Sequence, residues 1–229
     1  MSPRAAVAGA SAASPSGARR FRVGDAARRW GRILPAAFYA QRTEVVAREL
    51  LGAVMVSTVR GVLSAGRIVE TEAYLGETDP ACHAVAGRTA RTWHLFGRPG
   101  IAYIYFTYGM HWCTCAVTER EGWGSAVLIR ALEPLVGQAA MKRRRGPIAT
   151  RASLLLSGPS RLSQALGLDG SLDGTSLVRG AIVIRAGQPV EDAAVAVTPR
   201  IGISLKNPAL DWPLRWAERD SPWTSRKVR

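Results

Sequence analysis

The sequence predicts an α+β protein, a single mixed domain around a largely antiparallel, curved sheet with a protruding β-hairpin. Three observations carry that prediction. Strand-like runs outnumber helical ones, and they follow one another without a steady β-α-β alternation. Residues 101–112 (Ile-Ala-Tyr-Ile-Tyr-Phe-Thr-Tyr-Gly-Met-His-Trp) read as an aromatic ribbon bent at a glycine. No internal repeat or second composition boundary divides the 229 residues, a length that suits one well-packed domain.

Taken in order, residues 1–29 are rich in Ala, Ser and Gly with several arginines, and read as a disordered basic extension ahead of a domain over 30–229. They lack the apolar core of a secretory signal. Residues 42–51 place Val45, Val46, Ala47, Leu50 and Leu51 at helical spacing, and Gly52 stops the helix. A strand over 53–59 turns at Gly61 into a second over 63–74, which ends in the turn chemistry of residues 75–80. Residues 81–100 are irregular and basic. Strands over 101–107 and 111–118 flank Tyr108-Gly109-Met110, and another follows over 125–132. Glu133-Pro134 is expected to open a helix running into the cluster Lys142 to Arg145. Gly158-Pro159 starts a short helix with Leu162, Ala165 and Leu166 on its apolar side and Gly167 at its end. Three further strands are expected over 181–185, 194–203 and 213–218.

Composition narrows the partners. With 31 basic against 17 acidic residues the formal charge is +14, a field that favours polyanions, above all nucleic acid. Nearly all of it is arginine; the lysines are Lys142, Lys206 and Lys227. No run approaches the roughly 20 apolar residues of a membrane span. Cys82, Cys113 and Cys115 suggest no disulfide framework and point to a reducing, cytoplasmic setting. Cys82, His83, Cys113 and Cys115 also match no zinc spacing. Neither a phosphate-binding loop nor a serine elbow is present. No lysine lies in or near residues 67–76 or 101–112, which argues against a Schiff-base nucleophile.

Residues two apart on a strand share a face, so Glu70, Glu72 and Tyr74 line up. Their neighbours Ile68, Val69, Ala73 and Leu75 are apolar, so the strand is partly buried. Carboxylates crowded in a poorly solvated place resist ionisation, and one is then tuned towards acid–base work. The competing reading makes one glutamate the partner of Arg67 or Arg130. In the ribbon, Tyr103, Tyr105 and Thr107 share one face, and most of its aromatics read as packing. Tyr108 differs: beside Gly109 at the bend it resembles a wedge that enters between base pairs.

The runs 67–76 (Arg-Ile-Val-Glu-Thr-Glu-Ala-Tyr-Leu-Gly), 103–113 and 127–135, with Gly158 to Leu162, Arg200 to Ile203 and Ser221-Pro222-Trp223, closely resemble the alkyladenine (3-methyladenine) DNA glycosylase family. The resemblance spans roughly residue 34 to the C-terminus. It implies a monomeric, monofunctional enzyme that inserts a hairpin into the minor groove of double-stranded DNA. Such an enzyme flips a damaged purine and hydrolyses its N-glycosidic bond, with no metal or organic cofactor. Matched motif by motif, Glu72 is the general base and Arg130 lies near the catalytic water. Tyr74, His83 and Tyr105 line the base pocket, and Tyr108 fills the gap in the duplex. Electron-poor alkylpurines suit tyrosine faces, and flipping is easiest where pairing is already weak. Two places depart from the family pattern. Position 115, usually an asparagine that excludes the 2-amino group of guanine, is Cys115, and Ala90 and Thr92 replace a common proline and asparagine. A lesion-binding protein without excision and an RNA-binding module are the competing classes; Glu72 argues for the enzyme.

Overall fold

The computed structural model describes residues 30–148 and 151–228; the expected extension over 1–29 lies outside them. Its centre is β2 (Ser64–Tyr74), an eleven-residue strand buried along most of its length. One edge of β2 pairs with β5 (Ala126–Val136) throughout. The other edge is split: Ser64 to Arg67 pair with β1 (Val54–Ser57), and Glu70 to Glu72 pair with β8 (Arg215–Glu218). The sheet then extends from β5 through β4 (His111–Val117) to β3 (Ala102–Thr107), and from β1 to β6 (Ile182–Arg185); β7 (Val195–Thr198) pairs with β8. These eight strands pair antiparallel throughout, as the fold reading anticipated.

One face of the sheet carries the helices. The short α1 (Ala36–Tyr39), which the sequence reading did not anticipate, leads into α2 (Thr43–Glu49). Val46, Ala47, Leu50 and Leu51 pack with Ile68, Ile129 and Leu132 of the sheet, and Leu162, Ala165 and Leu166 of α4 (Pro159–Leu166) join the same core. Proline at the first turn and a left-handed Gly167 (φ 75°) bound α4 as its sequence suggests. The other face is covered by residues 82–96, with Cys82, Ala84, Leu95 and Phe96 against Tyr103, Cys113, Cys115, Val117, Ala126 and Leu128. The functional side chains lie under this irregular cover.

Three expectations need correction. Glu133 and Pro134 do not open a helix; they continue β5, because Glu133 stands opposite Arg67 and accepts its Nε–H at 2.7 Å. Pro134 is tolerated beside a register shift, where the ladder is already interrupted. The helix α3 (Gln138–Arg145) begins instead after Gly137, whose left-handed φ of 83° and tight approach to Leu63 O admit only glycine. The strand expected over 194–203 stops at Thr198, since Pro199 has no N–H for the ladder. The last one is confined to Arg215–Glu218.

Candidate active site

Cross-strand register builds the site floor. Tyr103 of β3 stands opposite Cys115 of β4, Cys115 opposite Leu128 of β5, Leu128 opposite Glu72 of β2, and Glu72 opposite Arg215 of β8. Directly paired residues share a face, so these five side chains form one row. Two of the three register shifts in the β2–β5 ladder leave Val69 on one strand and Arg130 on the other without a direct partner. Bulges of this kind re-aim side chains. Here Arg130 reaches both acids.

The polar end is buried and balanced. The buried charged side chains among the described residues are Glu70, Glu72, Asp79, Arg130, Arg200 and Arg215, equal in positive and negative charge. Arg130 donates from Nε to Glu70 (3.0 Å) and from Nη1 to Glu72 (3.1 Å). Arg215 donates from Nε to Glu70 at 2.7 Å. The Ser225 hydroxyl and backbone N–H also donate to Glu70. Glu72 receives the Ile201 N–H on Oε1 (2.7 Å), and the Tyr74 hydroxyl (3.0 Å) and Arg130 on Oε2. Among the described residues, Glu70 thus accepts four bonds, three on Oε1 and one on Oε2, while Glu72 accepts three, one on Oε1 and two on Oε2. The two acids are not equivalent.

Burial pushes the Glu72 carboxyl above the ordinary glutamate range, with Glu70 adding to the rise. Arg130, the Ile201 N–H and the Tyr74 hydroxyl pull it back. Tyr74 is itself clamped, with the Arg200 guanidinium 4.7 Å over its ring. Arg200 is fixed by Asp79, which accepts from Nη2 at 2.9 Å and also receives the Leu75 and Ala81 N–H groups.

Above this end lies a cavity of about 350 Å³, within the usual range for a small-molecule site. Tyr74, His83, Tyr105, Cys115, Arg130 and Tyr108 all line it. Glu72 lies beneath, touching the cavity through its partners Tyr74, Arg130 and Ile201. Tyr103 and Tyr105 stack at 5.2 Å with 28° between planes, and His83 meets Tyr105 edge-on at 4.6 Å. His83 Nδ1 shares a 3.0 Å hydrogen bond with the Tyr103 hydroxyl. Burial, and then the nearby Arg91, hold its imidazole below the ordinary histidine range, so it is neutral at pH 7. All three cysteines are free, buried and on the cavity's lining.

At the mouth, Thr107 O accepts the Met110 N–H (3.2 Å) and closes the hairpin turn. Its central residues, Tyr108 (φ 51°) and Gly109 (φ 66°), are both left-handed. That conformation is natural for glycine and costly for tyrosine. The Tyr108 side chain is 83% exposed.

Tyr74, His83, Tyr105, Tyr108, Cys115 and Arg130 thus line one cavity, with Glu72 beneath it. Sequence reasoning missed Tyr103 as the partner of His83, Arg215 and Ser225 as the partners of Glu70, and the Asp79–Arg200 pair. It named Arg67 as an alternative partner for the acids, but Arg67 pairs with Glu133 and Glu218. Arg200 to Ile203 had been matched as a motif, which was the available signal for the Ile201 N–H.

A buried carboxylate under an aromatic slot, with an exposed aromatic tip at the mouth of a basic protein, is a combination that fits an enzyme acting on nucleic acid. The model of the methylpurine-DNA glycosylase family matches residues 37–222. A protein of Carboxydothermus hydrogenoformans named "putative 3-methyladenine DNA glycosylase" is 46% identical over 196 residues, covering 85% of this chain and all of the relative. Like-named proteins of Myxococcus xanthus (45% over 193 residues; 84% and 93% of the two chains) and Burkholderia lata (44% over 212 residues; 90% and 98%) are similarly close. The chain belongs to the methylpurine-DNA glycosylase family. It is a DNA glycosylase, a hydrolase of base-excision repair. No helix among the described residues is long and apolar enough to cross a membrane.

Proposed function

We propose that the chain acts as a monomer on duplex DNA containing alkylated or deaminated purines, flips the damaged nucleotide into the cavity and hydrolyses its N-glycosidic bond. The observation that carries this reading is the placement of the two acids: Glu70 is tied to two arginines and to Ser225, whereas Glu72 lies beneath the slot and, with a single bond on Oε1, can take one more donor there. That donor is the nucleophilic water. Glu72 takes its proton as the oxygen attacks C1′ of the sugar. The C1′–N bond breaks, its electron pair leaves with the base, and an abasic site remains. Arg130 keeps Glu72 ionised and oriented, because a buried carboxylate without a cation would hold its proton.

Tyr74 and Tyr105 supply π-faces for an electron-poor purine, which gains most from them when it is cationic. His83, with Nδ1 engaged by Tyr103, offers its remaining nitrogen to the base edge. Cys115 lies on the floor row, two strands from Glu72, and sets which exocyclic groups fit. Tyr108 occupies the space the flipped nucleotide leaves, and its strained backbone is kept for that purpose.

The test is single-turnover release of base from a duplex containing hypoxanthine or an alkylpurine. Wild type is expected to release base, and Glu72→Gln to bind the same duplex without release. Failure of wild type to release any alkylpurine overturns the reading.

A further inference from the structure

The five most exposed large apolar side chains among the described residues are Leu205, Tyr108, Met110, Trp93 and Val85. They do not scatter. All five sit on three of the segments that wall the cavity: the hairpin, residues 81–96, and the loop that follows Ile201. The most exposed, Leu205 at 88%, exceeds even Tyr108. Single exposed leucines are ordinary on protein surfaces. A concentration around one mouth marks a binding face.

Leu205 is held out by a built turn. Asn207 N–H donates to Ser204 O at 2.9 Å, which puts Leu205 and Lys206 at the two central positions. The Asn207 side chain braces the turn from below, donating to Pro80 O (3.0 Å) and accepting the Ala209 N–H (2.8 Å). Ile203, two residues before Leu205, lines the cavity, and Ile201 holds Glu72. This turn therefore rises from the Glu72 end of the floor row, while Tyr108 rises from the β3–β4 end. Three strand spacings separate β3 from β2, roughly 14 Å at about 4.8 Å each. The two turns thus spring from segments anchored three strands apart across the cavity floor.

We propose that the Leu205–Lys206 turn is a second DNA-inserting element. Leu205 wedges into the groove on the side of the flipped nucleotide away from Tyr108, and Lys206 meets a phosphate beside it. A leucine is a known kind of wedge, and an adjacent cation fits the backbone that borders the groove. The inference rests on the excision reading above. Neither residue is needed for the chemistry, so both are gripping residues only.

The experiment measures affinity for a hypoxanthine-containing duplex and for the same duplex unmodified. The proteins compared are wild type, Leu205→Ser, Lys206→Ala, Tyr108→Ser and, as a control that removes exposed apolar surface outside the cavity lining, Val197→Ser. Leu205→Ser is expected to lose about tenfold on the lesion duplex and little on the unmodified one, with Val197→Ser unchanged on both. Lys206→Ala should weaken both duplexes alike and lower the slope of log affinity against log salt by about one. Wild-type affinity of Leu205→Ser for the lesion duplex overturns the proposal. Tyr108→Ser in the same assay, together with base release by wild type, shows separately whether the excision reading stands.

Discussion

At the Glu72 end of the cavity every charged group is buried and held by several partners, whereas at the hairpin end Tyr108 stands exposed on a left-handed backbone. The first region spends stability on electrostatics: six ionisable side chains are held out of water, and removing any one leaves a buried neighbour stranded. The second spends it on backbone geometry and makes few contacts in return. The contrast teaches how a glycosylase divides its labour. On the proposed reading, chemistry falls to groups that cannot move, and recognition to a side chain left exposed for DNA.

The sharpest way to break the rigid end is Arg130→Met. Arg130 is the strongest influence holding the Glu72 carboxyl down, and without it the carboxyl is pushed further above the ordinary glutamate range. Excision at pH 7 should fall by about 10²–10⁴, the usual worth of a general base. The sign of the pH effect separates charge tuning from packing. Glu72 is already raised above the ordinary glutamate value of about 4.3, so wild-type activity should fall as pH drops through a point above that value. In Arg130→Met the same fall should move to higher pH, with activity recovering in alkali. A uniform loss at every pH would make Arg130 a packing residue. The same raised value makes the folded state bind the Glu72 proton more tightly than the unfolded one does. The stability this contributes is present below about pH 4.3 and is lost as pH rises through the folded pKa.

Arg215→Met tests the other half of the cluster. It strips Glu70 of one of its two arginines and leaves Thr198 Oγ1 and the Arg226 carbonyl without their donor. Breaking a buried pair by removing one partner costs about 3–5 kcal/mol, which thermal unfolding would register. The folded fraction should still excise, since Glu72 keeps all three of its donors. A variant as stable as wild type would mean that the buried balance is not what holds this end together.

How much of this was legible in the sequence follows from how each feature is encoded. Glu72, Tyr74, Tyr105 and Tyr108 are legible because strand periodicity and a hairpin bend are local signals, and the motif blocks point the same way. The helix α4 is legible through Pro159 and Gly167. The two register shifts around Val69 and Arg130 are not, because a bulge depends on which strand is opposite. Arg215 and the Asp79–Arg200 pair join residues far apart in the chain, and Asp79 in a Thr-Asp-Pro run reads only as a turn. Glu133-Pro134 was misread for a related reason: Glu-Pro resembles a helix start until Arg67 is known to stand across from it.

Tyr108→Gly addresses the exposed end and should move stability and function in opposite directions. Glycine adopts the φ of 51° freely, so the folded protein should gain up to about 1 kcal/mol as strain is relieved, while affinity for lesion duplex falls. Thermal unfolding and duplex binding on one preparation check both. A loss of stability would show that the hairpin turn carries packing which its exposure does not suggest.

The smallest effect is expected where the two regions meet, on the floor of the slot. Cys115 is buried, and burial beside Cys113 and Cys82 pushes its thiol well above the ordinary range, so it stays a neutral, small, weakly polar group. Asparagine there would add a carbonyl and an amide to a row that otherwise presents Leu128 and the Tyr103 ring. An extra polar group facing the 2-amino edge of a guanine penalises that base and leaves adenine and hypoxanthine nearly untouched, and such steric or polar gates discriminate by about 1–3 kcal/mol. Cys115→Asn should therefore lower excision of 7-methylguanine relative to 3-methyladenine and hypoxanthine by about ten- to a hundredfold, with the pH profile and thermal stability close to wild type. An unchanged ratio among the three bases would show that selectivity is set by the rigid acid end and the tyrosine walls alone, and that the cysteine merely fills space.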